Sequence, residues 1–152
     1  MIYVEALDSL VATTELSVFL AGGITGCPDW QQDMRKLLQD TDLILFNPRR
    51  ANFPIGDPGA ALEQIAWEHY HLRTASAILF WFPRETLCPI VLYELGAWSM
   101  ADKPIFVGVH PDYPRRKDVE IQTQLVRPEV KVVYSLEDLA QQVRKGLGDE
   151  KS

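Results

Sequence analysis

The sequence predicts one doubly wound α/β domain built on a parallel sheet. Three observations carry the prediction. Short apolar runs without polar alternation recur along the chain, as strands buried on both faces require. Each run is followed by a turn and then by a helix-like segment, so strands and helices alternate. The 152 residues suit a single domain with a sizeable core, and 47% hydrophobic against 24% charged residues is an ordinary globular balance.

In order, Ile2-Tyr3-Val4 has the character of an added edge strand, and the rest of residues 1–15 reads as a connector. Ser17-Val18-Phe19-Leu20-Ala21 is the first core strand, stopped by Gly22-Gly23. The turn leads into a helix from Trp30 to Gln39 with Asp29 as its N-cap. Glycines between a strand and a helix let backbone N–H groups approach an anion, and they serve a tight turn equally well. Neither GxGxxG spacing nor the Lys-Ser/Thr of a Walker loop is present. Leu43-Ile44-Leu45-Phe46 is the second strand. Asn47 and Arg49 follow at its carboxyl end, where open α/β sheets bind ligands. They are site candidates, or else a turn and a solvated charge. The loop from Pro48 to Gly59 is long for a compact domain and reads as a functional flap.

Ala60 to Thr74 forms the strongest helix, with Leu62, Ile65, Ala66, Tyr70 (or His69) and Leu72 or Arg73 at near-helical spacing. Glu68 lies within it. Ala77 to Phe82 is the third strand, apolar on both faces and therefore central. A loop, Pro83–Pro89, carries Glu85, Thr86 and Cys88, and a helix runs from Ile90 to Ala101. One acid, Glu94, stands in that helix among Leu92, Tyr93, Leu95, Ala97 and Trp98. Burying it charged is expensive, so its presence calls for a reason. Lys103–Val109 is the fourth strand, followed by a polar loop, an amphipathic piece from Val119 to Val126, and a fifth strand, Lys131–Tyr134. Ser135 caps the last helix, which runs to about Gly146, and the tail from Gly148 frays. Counted from the Ser17 strand, the small size favours a flavodoxin-like order, 2-1-3-4-5, with helices on both faces. One domain covers 1–152, with its core at about 17–146.

The net charge of -6 and pI of about 5.0 argue against a nucleic-acid polymer as partner, though not against a single nucleoside. Cys27 and Cys88 form no CxxC pair, and His69 and His71, two apart on a helix, point to different faces, so no metal site is expected. No apolar run approaches the ~20 residues of a membrane span. The N-terminus lacks the basic start of a signal peptide, so a reduced, cytoplasmic compartment is expected. With no GxSxG elbow, the chemistry left is a carboxylate pair, Glu94 with Glu68. Two carboxylates in different environments divide labour between ionised nucleophile and proton donor, which is the logic of retaining glycosyl transfer.

Five segments together resemble the nucleoside 2-deoxyribosyltransferases, in particular their deoxyribosyltransferase-like branch. They are Phe19-Leu20-Ala21-Gly22-Gly23-Ile24, Asn47-Pro48-Arg49-Arg50, Gln64-Ile65-Ala66-Trp67-Glu68, Phe80-Trp81-Phe82-Pro83 and Tyr93-Glu94-Leu95-Gly96. The resemblance spans roughly residues 17–125. It implies a flavodoxin-like fold and a double displacement without metal or organic cofactor. In it Glu94 is the nucleophile that attacks C1′, and Glu68 serves proton transfer to the leaving base. Gly22, Gly23, Ile24 and Asn47 line the base pocket, and Tyr93 packs beside the nucleophile. Arg49, Phe82 and Glu85 are further substrate-binding candidates of this chain, not carried by the resemblance. The implied partners are 2′-deoxynucleosides and free nucleobases, and the implied assembly is a homodimer or higher homo-oligomer whose sites are completed by a neighbouring subunit. Where the better-known transferases carry a base-reading aspartate, six residues before the nucleophile, this chain has Cys88, with Glu85 or Thr86 as substitutes. Three functions compete: deoxyribosyl transfer between bases; hydrolysis of (deoxy)nucleoside 5′-monophosphates, with Arg49, Arg50 or the glycine loop on the phosphate; and a non-catalytic nucleotide-binding module.

Overall fold

Residues 1–9, 15–51, 54 and 56–148 are described by a computed structural model. Its elements are β1 (Ile2–Glu5), β2 (Ser17–Gly22), α1 (Trp30–Leu37), β3 (Ile44–Asn47), α2 (Pro58–Thr74), β4 (Ala77–Phe82), α3 (Pro89–Ser99), β5 (Ile105–Val109), α4 (Arg116–Val126) and α5 (Leu136–Val143). A single π-type turn, Arg144–Gly148, follows. The five strands form one parallel sheet in the order β1-β3-β2-β4-β5.

β2 and β4 are buried along their whole length because helices cover both faces. Alternate side chains enter opposite layers. Phe19, Ala21, Ile78, Phe80 and Phe82 pack with Trp67, Val91, Leu95 and Val119 from α2, α3 and α4. Val18, Leu20, Leu79 and Trp81 pack with Trp30, Met34, Leu139 and Val143 from α1 and α5. Each fully buried side chain of this kind contributes ~1.5–3 kcal/mol relative to exposure. The doubly wound fold is therefore as expected, and the strands from Ser17, Leu43, Ala77 and Lys103 stand in the expected order, 2-1-3-4.

The sheet's outer strands differ in weight from the expectation. Lys131–Tyr134 contributes a single parallel bridge, Gly108 with Val133, held by Val109 N to Val133 O and Val133 N to Val107 O. The fifth full strand is β1 at the opposite edge, in register with β3 from Ile2–Ile44 to Glu5–Asn47. Pro128 interrupts the approach to Lys131, and Ser135 turns the chain into α5 by accepting a bond from Asp138 N, which leaves little room for a ladder.

Helix ends follow their caps. Asp29 accepts from Gln32 N at the head of α1. Asp57 accepts from Gly59 N with Pro58 in the first turn, so α2 starts two residues before Ala60. The near-helical stripe of α2 is not its buried face. Trp67, His71 and Leu72 face the core, while Leu62, Ile65 and Tyr70 are 71%, 63% and 61% exposed. The helix is apolar on several sides, so its period fixes the helix but not its facing. Residues 10–14 of the expected connector, 52, 53 and 55 of the expected flap, and 149–152 of the tail lie outside the described residues. Among the described residues, no helix is long and apolar enough to cross a membrane.

Candidate active site

A cavity of 440 Å³ opens beyond the carboxyl ends of β2 and β4, where an open α/β sheet places its ligands. The turn after β2 supplies Gly22, Gly23, Ile24 and Thr25, and the segment after β3 supplies Pro48. Ile65 and Glu68 enter from α2, Thr86 and Cys88 from the loop after β4, and Ile90, Val91 and Glu94 from α3. Among the described residues, no Lys, Arg or His lines this cavity.

The two glycines are required by close packing. A Cβ on Gly22 would stand 2.2 Å from Cζ2 of Trp30 and 2.7 Å from the Trp81 carbonyl oxygen. A Cβ on Gly23 would meet Pro83 at 2.7 Å and the Cys27 sulfur at 3.1 Å. The turn is pinned from α1, whose Trp30 Nε1 and Gln31 Nε2 both donate to Gly23 O, at 2.9 and 3.2 Å.

Glu68 and Glu94 face this cavity together, on adjacent helices. Burial pushes Glu68 up to about 7. Burial and, second to it, the charge of Glu68 push Glu94 up to about 8. Among the described residues, no cation offsets either effect. The pair therefore keeps at least one proton near neutral pH and titrates as a coupled unit. A carboxylate pair that retains one proton offers an anion and an acid in the same cavity.

The other expected site residues take varied positions. Asn47 is buried, accepts from Arg49 N at 2.9 Å and donates to the Tyr3 hydroxyl of β1, so its amide serves the scaffold. Arg49 is a clamp: Nη1 donates to Pro28 O and Gln31 Oε1, Nη2 to Cys27 O, and Asp29 lies 4.0 Å away. Phe82 lies fully buried in the core, its ring 5.2 Å from that of Tyr113. Glu85 pairs at the surface with Arg84. Tyr93 is 78% exposed and lines a second groove, of 470 Å³, between the outer faces of α2 and α3. Ile65, Glu68, Ile90 and Glu94 border both hollows, so the carboxylates lie on the seam between them. His69 borders the groove and His71 is buried against Phe46 and Trp67. Among the described residues, no three His, Cys, Asp or Glu side chains converge as a metal site.

Pro48, Thr25 and Ile65 line the cavity without having been singled out, because only tertiary packing brings them there. Cys88 also lines it, and the thiol is a poor nucleophile, since burial pushes it up to about 12.

Fold and cavity thus give an α/β domain with two carboxylates turned toward one cavity at the strand ends. The family model described as nucleoside 2-deoxyribosyltransferase like matches residues 15–113, more than half of the chain, and the chain belongs to that family. The matched span contains both carboxylates and every wall of the cavity. The crystal structure of a conserved protein from Enterococcus faecalis V583 is similar, with a TM-score of 0.61 and 15% identity over 88% of this chain and 100% of that one. At that identity the likeness speaks for the fold. No curated protein matches the chain significantly.

Proposed function

We propose that the protein is a nucleoside 2′-deoxyribosyltransferase that exchanges the base of 2′-deoxynucleosides through a covalent ester on Glu94. The observation that carries this reading is the convergence of Glu68 and Glu94 on one cavity at the strand ends. In the first half-reaction a Glu94 carboxylate oxygen attacks C1′, and the C1′–N bond breaks with its electron pair leaving on the base. Glu68 donates the proton that the departing nitrogen takes up. In the second, a nitrogen of the acceptor base attacks C1′, the ester C–O bond returns its pair to Glu94, and Glu68 recovers a proton from the acceptor. Neither half needs a cofactor or metal to balance. The glycine turn, Ile24, Thr86 and Cys88 form the wall beside the base.

The engagement of Arg49 weighs against 5′-monophosphates. A dianion beside two carboxylates would need a cation, and Arg49 already serves three oxygens of the α1 head. A second copy of the chain is the inferred partner of the outer α2–α3 groove. Exposed Ile65, Ile90 and Tyr93 gather there, and covering the groove would shield from water the seam that holds both carboxylates. Two free thiols, Cys27 and Cys88, suit a reduced, cytoplasmic setting.

The test is incubation with 2′-deoxyinosine plus adenine, and separately with dNMPs alone, with products followed by chromatography. Appearance of 2′-deoxyadenosine is the expected result. Free base released from dNMPs without acceptor would replace transfer with hydrolysis. Binding of nucleosides without turnover would replace it with a non-catalytic module.

A further inference from the structure

The loop between β4 and α3, one wall of the cavity, holds an unfavourable backbone state. Cys88 has φ 52° and ψ 55°, and among the described residues it alone is a non-glycine with positive φ. An L-residue there costs of order 1–2 kcal/mol and persists only where its surroundings impose it. On the α3 side Cys88 O accepts from Leu92 N at 3.0 Å, but its bonds within the loop are weak: Cys88 N to Thr86 Oγ1 at 3.4 Å and Cys88 Sγ to Thr86 O at 3.6 Å. The strong restraint comes from outside the loop. Tyr113, buried and following β5, donates its hydroxyl to Leu87 O at 2.6 Å, 26 residues away in sequence. The same tyrosine packs on Phe82, where the loop leaves β4, and its N–H donates to His110 O, while His110 N donates to Phe82 O. Both ends of the wall thus hang on the segment after β5.

We propose that Tyr113 is a positioning residue that holds the Thr86–Cys88 wall, and with it the fit of the leaving and entering base. This rests on the reading of the cavity as the glycosyl-transfer site. Glu94 does not depend on the latch. It is fixed by α3, whose Val91 and Leu95 are buried in the core. The hydroxyl also remains a donor across the working range, since burial pushes Tyr113 up to about 12.

Tyr113→Phe removes the hydroxyl and keeps the ring on Phe82. The experiment compares the variant with the wild type by hydrogen–deuterium exchange over residues 84–92, by thermal melting, and by kinetics with 2′-deoxyinosine and adenine. The proposal expects faster exchange confined to 84–92, KM raised about fivefold to tenfold, and kcat within about twofold. Unchanged exchange would overturn the latch. A lower Tm with unchanged KM would reduce Tyr113 to a structural residue and overturn the positioning role. Absence of wild-type turnover would overturn the functional reading, and the proposal with it, while the exchange data would still report whether the latch holds the loop.

Discussion

Two glutamates kept above the ordinary carboxylate range make the site costly to the fold. Their folded-state pKa values, about 7 and about 8, exceed the unfolded value near 4.5. A raised folded value means a contribution fully present below the unfolded pKa and lost as pH rises through the folded one. Stability should therefore decline from weakly acid to weakly alkaline pH. Glu94→Gln keeps the shape and removes the ionisation. It should abolish turnover and raise Tm, with an advantage small near about pH 5 and growing to on the order of 5 kcal/mol near about pH 9. Thermal melts across that range check it; an advantage independent of pH would contradict it. The same pair should give a bell-shaped kcat/KM profile with flanks near about 7 and about 8: the productive form carries one proton, on Glu68 with Glu94 ionised, and it is the minority one-proton form because burial and the Glu68 charge hold Glu94 the higher of the two. Glu68→Gln should lose the alkaline fall, leaving a weaker rise to a plateau. Glu94 was legible in sequence as a lone acid in an apolar helix. Glu68 gave a weaker signal, as the second member of a carboxylate pair, because a glutamate on a helix usually faces water.

At the scale of elements, the turn after β2 and the helix after β4 carry the site, and glycine means something different in each. Gly22→Ala drives a methyl group into the Trp30 ring and should cost ~1–3 kcal/mol in urea unfolding. Gly96→Ala, in α3, meets nothing within 4 Å and should instead stabilise by ~0.5–1 kcal/mol. The reverse ranking would contradict the packing account. Apolar runs and turn residues made the strand–helix alternation readable, since both are local signals. The role of Arg49 was not, because its acceptors, the carbonyls of Cys27 and Pro28, come from a different loop. The bond of Asn47 was hidden for the same reason: its partner, Tyr3, belongs to the added edge strand. Tyr113 gave no signal at all, lying in a polar loop and acting on a backbone oxygen far back in the chain.

For the whole molecule, the sheet order came from alternation and size, whereas the relative weight of the two edges depended on how few residues separate Pro128 from Ser135. The outward apolar stripe on α2 belongs to this scale too, since it finds no partner within the described residues of one chain. Ile65→Glu with Tyr93→Glu should convert an oligomer to a monomer by light scattering; a wild type already monomeric would contradict the assigned partner. The central claim is that Glu94 carries the sugar, and trapping tests it most directly. The wild type is mixed with a 2′-deoxynucleoside in the absence of acceptor, quenched in acid and digested for mass spectrometry. The account predicts one added 2′-deoxyribosyl group on the peptide containing Glu94, absent in Glu94→Gln. A sugar adduct on another residue, or base exchange that survives Glu94→Gln, would contradict it.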